Sequence, residues 1–573
     1  MSEDLDKIAE ARKTWEETTL QKPLKRFFQT ENPARFCTPL DLKDFDFLEK
    51  VGFPGEYPFT AGNYAFLPGA LAPKLGGEPP GLGRSGWYSG YGTVEDTRDY
   101  YIERKSAGPN VAFDLPTQCG YDSDNPVVAG EVGKVGVAVD TLRDFEVLFE
   151  AFTGEKDLDK ISSNFTINAP ANIYIAMYLA LADKRGIPYN KLRGTPQNDI
   201  LKEYVGRGTY IFPPGPAVNR MFRDSLVFLA EHCPSINICS IGGYHMREAG
   251  CTREQDLAFS MAIGIAYLQT GIDAGLDVDA FAPQFSCNGF GGSVDFFREI
   301  AFHRASRRMY SRILKERFGA KNPKSMMIRS IATAHSGPSN TTAQRPLNNI
   351  ARGVVAALAG ACSGGPPAVF PPYDEPLGLG WSLEAQQLQR DAMLVLLLEA
   401  KVNQVVDPFA GSYFMESLTD EIEEAAQKEL DKIEAIGGAV AACENGYMYR
   451  EMAKSAYEKQ HRIETRQDLI VGVNCAISEE ELEIIPPTMV ANPYDPMKRE
   501  QAEAKQIANL KEVKRTRDNR EVARLLQELE QKAKNTDENL IPHFIECNKA
   551  YVTEQEMCDV LRGVFGEFEP PSL

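Results

Sequence analysis

The sequence predicts an α/β protein, a (β/α)8 TIM barrel with an N-terminal arm and a C-terminal, mostly helical extension. Two observations carry that prediction. Short apolar runs alternate with amphipathic helical stretches over roughly 330 residues, eight runs in all. Polar side chains able to do chemistry collect just past the carboxyl ends of those runs, where α/β proteins build their sites. An open doubly wound sheet is the alternative arrangement of the same pattern.

Residues 1–84 read as a helical arm followed by a Gly/Pro-rich strap, 85–436 as the barrel and 437–573 as the extension. The arm opens with the helix-prone "MSEDLDKIAEARKTWEE", and "FLPGALAPKLGGEPPGLGRSGW" within 51–88 excludes regular helix or a central strand. The strand candidates are "VAFDLP" (111–116), "NFTIN" (164–168), "GTPQND" (194–199) and "INICSI" (236–241). They continue with "AFAPQF" (280–285), "MIRSIATA" (327–334), "PAVFPP" (367–372) and "NQVVDP" (403–408). Between them, "DTLRDFEVLFEAF" (140–152) carries Leu142, Phe145, Leu148 and Phe149 on one helical stripe. "DLAFSMAIGIAYLQ" (256–269) and "SVDFFREIAFHRASRRMYSRILKERFG" (293–319) read as further helices, and 500–535 as one long charged helix.

Composition narrows the function classes. A net charge of −19 and a pI near 5.0 exclude nucleic acid as a main partner. Eleven cysteines with no C-x-x-C pair predict reduced thiols in a cytoplasm. The N-terminus has no signal-peptide core, and the most apolar run, "AMLVLLLEA" (392–400), is too short to span a bilayer. A cytoplasmic protein with no membrane contact is expected.

The stretch "GGYHMREAG" (242–250) places one of six histidines, His245, in a loop just past the fourth strand candidate. Gln197 and Arg207 follow the third, Tyr244 and His245 the fourth, Ser286 and Asn288 the fifth, and His335 and Ser336 the sixth, while Tyr88 precedes the first. Guanidinium matches a carboxylate bidentately, and amide and imidazole donate to a carbonyl oxygen. There is no phosphate loop, no H-E-x-x-H and no G-x-S-x-G. Residue chemistry alone thus reaches a barrel enzyme acting on an anionic carbonyl compound.

"VAFDLPTQCGYDSDNPVVAGEVGKVGVAVDT", "GTPQNDILKEYVGRGTYIFPP", "GGYHMREAG" and "DPFAGSYF", in that order, resemble the methylmalonyl-CoA mutase family from about residue 85 onward. The resemblance implies an adenosylcobalamin-dependent acyl-CoA mutase whose barrel is threaded by its substrate. The cofactor then supplies radical chemistry, and an acyl-thioester group migrates between adjacent carbons. It also implies roles: His245 beside the thioester carbonyl, Gln197 holding the acyl group, Arg207 clamping a free carboxylate, and Tyr88 between substrate and corrin. Tyr244, Asn110, Thr166, Thr195, Ser286, Asn288 and Arg84 are implied as further substrate contacts. Phe113, Val135, Gly206, Glu375 and Gly378 stand where the family touches the corrin, while Gln284 stands where it has an arginine.

The family's cobalt-ligating Asp-x-His-x-x-Gly motif is missing, since no histidine has aspartate two positions before it. The chain is therefore expected to be a large subunit without a cobalamin-binding domain. Its implied partners are a small cobalamin-binding subunit that supplies the cobalt ligand, in a hetero-oligomer, and a GTPase metallochaperone. Keeping both Arg207 and Tyr88, with Ala112, points to a dicarboxylic thioester of the malonyl/succinyl type. "CNGFGG" (287–292) replaces an aromatic F-F-W-G stretch, "SGPSN" (336–340) lacks a tryptophan, and "VFPP" (369–372) replaces a histidine-containing turn. Losing bulk enlarges a pocket, which predicts room for an alkyl- or aryl-substituted succinyl-CoA. The alternatives are a catalytically silent structural subunit and a mutase for a neutral branched acyl-CoA.

Overall fold

Five short parallel strands run in sequence order across the core of the computed structural model: β1 (Asn110–Ala112), β2 (Ser163–Thr166), β3 (Gly194–Pro196), β4 (Cys239–Ile241) and β5 (Phe285–Cys287). The structure describes residues 2–21, 35–42, 45–65, 92–103, 106, 108–287, 293–329, 341–365, 370–377, 382–477 and 496–571. β1, β2 and β3 pair in parallel, Asn110 opposite Asn164 and Asn164 opposite Thr195. β4 pairs with β5, Ser240 opposite Ser286. Backbone bonds from Asn237 N to Gly194 O (2.9 Å) and Ser240 N to Gln197 O (2.8 Å) join the two sheets edge to edge. A bridge between Phe113 and Val137 and a bond from Cys287 N to Arg329 O (2.8 Å) extend the array on either side. Parallel neighbours require crossover connections, and helices fill them.

The strands have two unlike faces. Val111, Phe165 and Phe285 are buried under the helices, whereas Asn110, Asn164, Thr166, Thr195 and Ser286 are half-buried on the opposite side. Strands sandwiched between two apolar layers read as continuous apolar runs. These do not, because their second face is a polar surface inside the molecule.

The helix Ala171–Lys184 is buried along its whole length up to Ala182, lying between the strands and the helix Ile541–Lys549. The helix Arg253–Asp273 starts at a capping box formed by Thr252 and Gln255. It and Phe296–Arg312 both pack on Tyr413–Ile436. Among the described residues, no single helix is long and apolar enough to cross a membrane.

Several expectations are corrected. His245 is not in a loop; it lies in the first turn of the helix Gly243–Ala249, which follows β4 directly. Residues 403–408 form no strand. Val402–Gln404 is one 3-10 turn, and Asp407 (φ 46°) turns the chain so that its carboxylate meets Arg304 at 2.9 Å. Of 327–334, residues 327–329 form no strand, although Arg329 O accepts the edge bond from Cys287, and the rest lies outside the described residues. Phe370–Pro372 is irregular, and 367–369 lie outside the described residues. The single helix expected over 500–535 is two, Pro496–Thr516 and Asn519–Asn535, broken where Asp518 accepts from the N–H groups of Arg520 and Glu521. The helix candidate at 140–152 is Leu142–Leu148, continued by a 3-10 turn.

Candidate active site at the ends of β3 and β4

Past β3 the chain bends sharply, with Asn198 at φ 49° while its amide Nδ2 donates to Ser225 Oγ and Ile238 O, both at 3.0 Å. That bend puts Gln197 and Asp199 at the strand end, and the chain enters a single π turn, Glu203–Arg207. Its closing bond runs from Gly208 N to Glu203 O (2.9 Å), with Gly208 at φ 87° as the left-handed cap. Glu203 and Arg207 thereby share one side, Arg207 Nη1 lying 3.1 Å from Glu203 Oε1 and 3.1 Å from Thr209 Oγ1.

β4 is followed by Gly242, whose N–H donates to Asp199 Oδ2 (2.7 Å), and the next helix presents Tyr244 and His245. The two rings lie 3.8 Å apart between centroids, at 32°. Gly242 is required sterically: a Cβ there would come within 2.9 Å of both His245 Nδ1 and Lys202 Nζ. Lys202, fully buried, donates to Gln197 Oε1 (3.0 Å). Asn168 Nδ2 donates to the same oxygen (3.1 Å) and to Glu203 Oε1 (2.7 Å). Asp199 Oδ1 accepts from Tyr267 (2.8 Å).

Charge is concentrated here out of reach of water. Burial pushes the Asp199 carboxyl up, and the adjacent Lys202 ammonium opposes that shift. Burial pulls Lys202 down, and Asp199 and Glu203 hold it back. The Tyr244 phenol is pushed up to about 12, chiefly by burial, although Arg207 and the hydrogen bond with Gln197 act the other way.

Of the expected residues, Gln197, Arg207, Tyr244 and His245 come together in this cluster. Asn110, Thr166, Thr195 and Ser286 lie on the half-buried polar face of the strands. Thr195 Oγ1 accepts from Asn237 (2.7 Å) and Ser286 Oγ donates to Cys239 O (3.2 Å). Tyr88, Arg84, Asn288 and Gly378 lie outside the described residues, as do His335 and Ser336.

Among the corrin positions, Val135 is 42% exposed, while the Phe113 ring is fully buried, 4.8 Å from Tyr174. Gly206 packs against the next helix, where an added Cβ would meet the Ala249 methyl at 2.8 Å. Glu375 opens a short 3-10 turn, Glu375–Leu377. Gln284 is a structural tie, donating to Cys233 O (3.0 Å) and Ile236 O (2.9 Å).

Asn168, Asp199, Lys202, Glu203 and Thr209 were not singled out from the sequence, and neither were Asn237 and Arg329 on the polar face. The signal for Asp199, Lys202 and Glu203 lay in "QNDILKE" (197–203), where three polar residues and a Lys-Glu pair crowd a strand end.

Fold and site together define a class: a parallel α/β protein with a cation, an amide and an imidazole gathered at its strand ends, groups with the chemistry to bind an anionic carbonyl compound. The chain belongs to the methylmalonyl-CoA mutase family, whose model, described as Methylmalonyl-CoA mutase, matches residues 30–567. It is 37% identical over 530 residues to a probable mitochondrial methylmalonyl-CoA mutase of Caenorhabditis elegans, covering 91% of this chain and 67% of that protein. It is 37% identical over 547 residues to the large subunit of 2-hydroxyisobutanoyl-CoA mutase of Aquincola tertiaricarbonis, covering 93% of this chain and 91% of that one. Against human mitochondrial methylmalonyl-CoA mutase the identity is 36%, over 90% of this chain but only 65% of the human protein. The chain thus spans about two thirds of the length of the animal mutases it matches.

Proposed function

We propose that this chain is the large, substrate-binding subunit of an adenosylcobalamin-dependent acyl-CoA mutase, working in the cytoplasm. The reaction interconverts a malonyl-CoA-type and a succinyl-CoA-type thioester. The observation that carries the reading is the convergence of Gln197, Arg207, Tyr244 and His245 on one partly enclosed spot. The strand array is taken to close into the (β/α)8 barrel, with the acyl-CoA chain running along the polar face of Asn110, Asn164, Thr166, Thr195, Asn237 and Ser286.

Arg207 has the geometry of a carboxylate clamp. Glu203 and Thr209 fix its Nη1, so the guanidinium is already oriented when substrate arrives. His245 and the Gln197 amide donate to the thioester or carboxylate oxygens, and Tyr244 closes the pocket over them. Bound adenosylcobalamin supplies the radical chemistry; these residues orient the acyl group and keep water from it.

The chain's fit to the cofactor is to its apolar face. Leu115 (38% exposed), Val127 (79%) and Val135 (42%) are exposed apolar side chains in the segment after β1. Gly136 packs on the backbone of Phe113 and Asp114, which sets Val135 beside the end of β1. Among the described residues no group of three or more His, Cys, Asp or Glu could hold a metal ion. A large-subunit relative matched over 91% of its length supports a cobalt ligand supplied by a separate small subunit.

Purified alone, the chain is expected to be inactive, and addition of an Asp-x-His-x-x-Gly subunit with adenosylcobalamin to start turnover. Mass spectrometry of malonyl- and succinyl-CoA analogues reads the substrate. The loss of bulk at Cys287, Asn288 and Gly289 leads us to expect an alkyl- or aryl-substituted succinyl-CoA to be preferred. Arg207→Gln should raise KM for a dicarboxylic thioester by orders of magnitude, as breaking a buried ion pair costs roughly 3–5 kcal/mol. Turnover by the chain alone, or unchanged KM in the variant, would refute the respective part.

A further inference from the structure

The buried lysine of this site has no part in the reading above. Lys202 is fully buried, yet its ammonium reaches neither solvent nor a direct carboxylate bond; its hydrogen bond goes to the Gln197 side-chain oxygen at 3.0 Å. An ammonium has only donors, so the Gln197 atom facing it is the carbonyl oxygen. Asn168 enforces the same orientation. Its own Oδ1 accepts from Asp199 N (3.0 Å), which turns its NH2 toward Gln197 Oε1 (3.1 Å). Two donors therefore converge on one amide oxygen, and the Gln197 NH2 is left on the side of Tyr244 and the substrate.

We infer that Lys202 is a positioning residue: with Asn168 it locks the Gln197 amide so that position 197 offers the substrate an N–H donor and never an acceptor. The inference rests on the mutase reading only for the identity of the substrate. Several features fit it. Asp199 and Glu203 flank Lys202 and oppose the downward shift that burial imposes, which favours the ammonium, a form that cannot accept from the amide if it flips. Gly242 leaves the space the ammonium occupies, since a Cβ there would lie 2.9 Å from Nζ. Gln197 hydrogen-bonds the Tyr244 phenol and opposes the upward shift that burial imposes, as expected of a donor to its oxygen. A donor at 197, beside Arg207 and His245, suits two acceptor-only groups, a thioester carbonyl and a carboxylate. It disfavours an acyl group that must donate a hydroxyl at that point.

The competing role for Lys202 is charge balance for Asp199 and Glu203 without any effect through Gln197. Two measurements separate them. Neutron diffraction from the deuterated, ligand-free chain should show the Gln197 deuterons on the Tyr244 side and three on Lys202; deuterons of Gln197 facing Lys202 overturn the inference. Calorimetric titration with succinyl-CoA should show Lys202→Met weakening binding by at least about tenfold, ~1.4 kcal/mol. In a Gln197→Leu background the same substitution should cost less than about twofold, as for residues acting through one contact. Additive losses overturn the inference. Should Lys202→Met fail to fold, Gln197→Glu decides: it keeps an acceptor for Lys202 but has no donor, so succinyl-CoA binding should fall by at least about tenfold, ~1.4 kcal/mol. Unchanged binding would overturn the donor assignment. If the wild-type chain does not bind succinyl-CoA at all, the mutase reading fails, and the neutron map still decides the amide orientation.

Discussion

Gly242 concentrates the demands of the site into one missing side chain. Lys202 Nζ and His245 Nδ1 both stand where its Cβ would be, and neither can retreat freely, because Lys202 is buried against Gln197 and His245 lies against Tyr244. Gly242→Ala should therefore lower kcat/KM of the reconstituted enzyme at least about tenfold, ~1.4 kcal/mol. Gly206→Ala meets a methyl of Ala249 instead, so its main effect should be an overpacking loss of about 1–3 kcal/mol in stability. Steady-state kinetics and thermal unfolding distinguish the two; full activity in Gly242→Ala would mean that the pair has room. At this scale the sequence was legible where chemistry advertises itself. Gln197, Arg207, Tyr244 and His245 were found as an amide, a cation and two rings at strand ends. Lys202 and Glu203 were not, because an adjacent Lys-Glu pair normally marks a solvated face. Here the π turn and the overlying Gly243–Ala249 helix bury it.

At the scale of elements, the first five strands were legible because their apolar residues alternate or cluster between turn formers, although each is only three or four residues long. The later ones were not. In "NQVVDP" the valines suggest a strand, but Val405 is 55% exposed and the segment is set by the pull of Arg304 on Asp407. A long-range ion pair leaves no local pattern to read. The C-terminal helix Glu554–Phe565 likewise docks through groups that look solvated in the sequence. Tyr174 OH lies 2.6 Å from Val139 O and 2.5 Å from Glu554 Oε2. Its single proton is shared between two acceptors, a competition that a protonated Glu554 would relieve. Burial, Asp122, Asp140 and Asp114 all push Glu554 well above its ordinary value of 4.5, and Asp114 itself is pushed up to about 6. Raised carboxyl values make the folded state the better proton binder. Stability from these groups is complete at low pH, falls as pH rises through the unfolded-state values, and levels off above the folded ones. Glu554→Gln cannot ionise and can donate to Tyr174. Its unfolding free energy should exceed that of wild type increasingly above about pH 5, reaching about 1.4 kcal/mol per pKa unit of the upward shift once pH passes the folded-state value. The difference should close below about pH 4, near the unfolded-state value. Denaturant titrations at several pH values read this, and a variant less stable than wild type at pH 8 would contradict it.

For the molecule as a whole, the question is whether residues 437–573 behave as an appendage or as part of the body that carries the site. A single apolar core runs from Phe59 to Leu561 and includes the C-terminal residues Leu529, Phe544, Cys547 and Met557. Polar ties cross the same seam. Leu540 N donates to Asp224 Oδ2 (2.9 Å), Arg220 holds the carbonyls of Thr536 and Glu538, and Asn548 reaches Ile173 O (3.3 Å). The helix Ala171–Lys184, wrapped on one side by Ile541–Lys549, follows β2, the strand whose neighbour β3 carries Gln197. Loosening the C-terminal helices thus removes the wall behind the site. Phe544→Ala deletes a fully buried ring and should cost about 3–5 kcal/mol. For one shared core, calorimetry should show the whole transition moving to lower temperature, and inactivation of the reconstituted enzyme should move with it. A new low-temperature transition confined to the extension, with the inactivation temperature unchanged, would show instead that the extension is a separate unit. The same result would uncouple the C-terminal helices from the Gln197 end of β3.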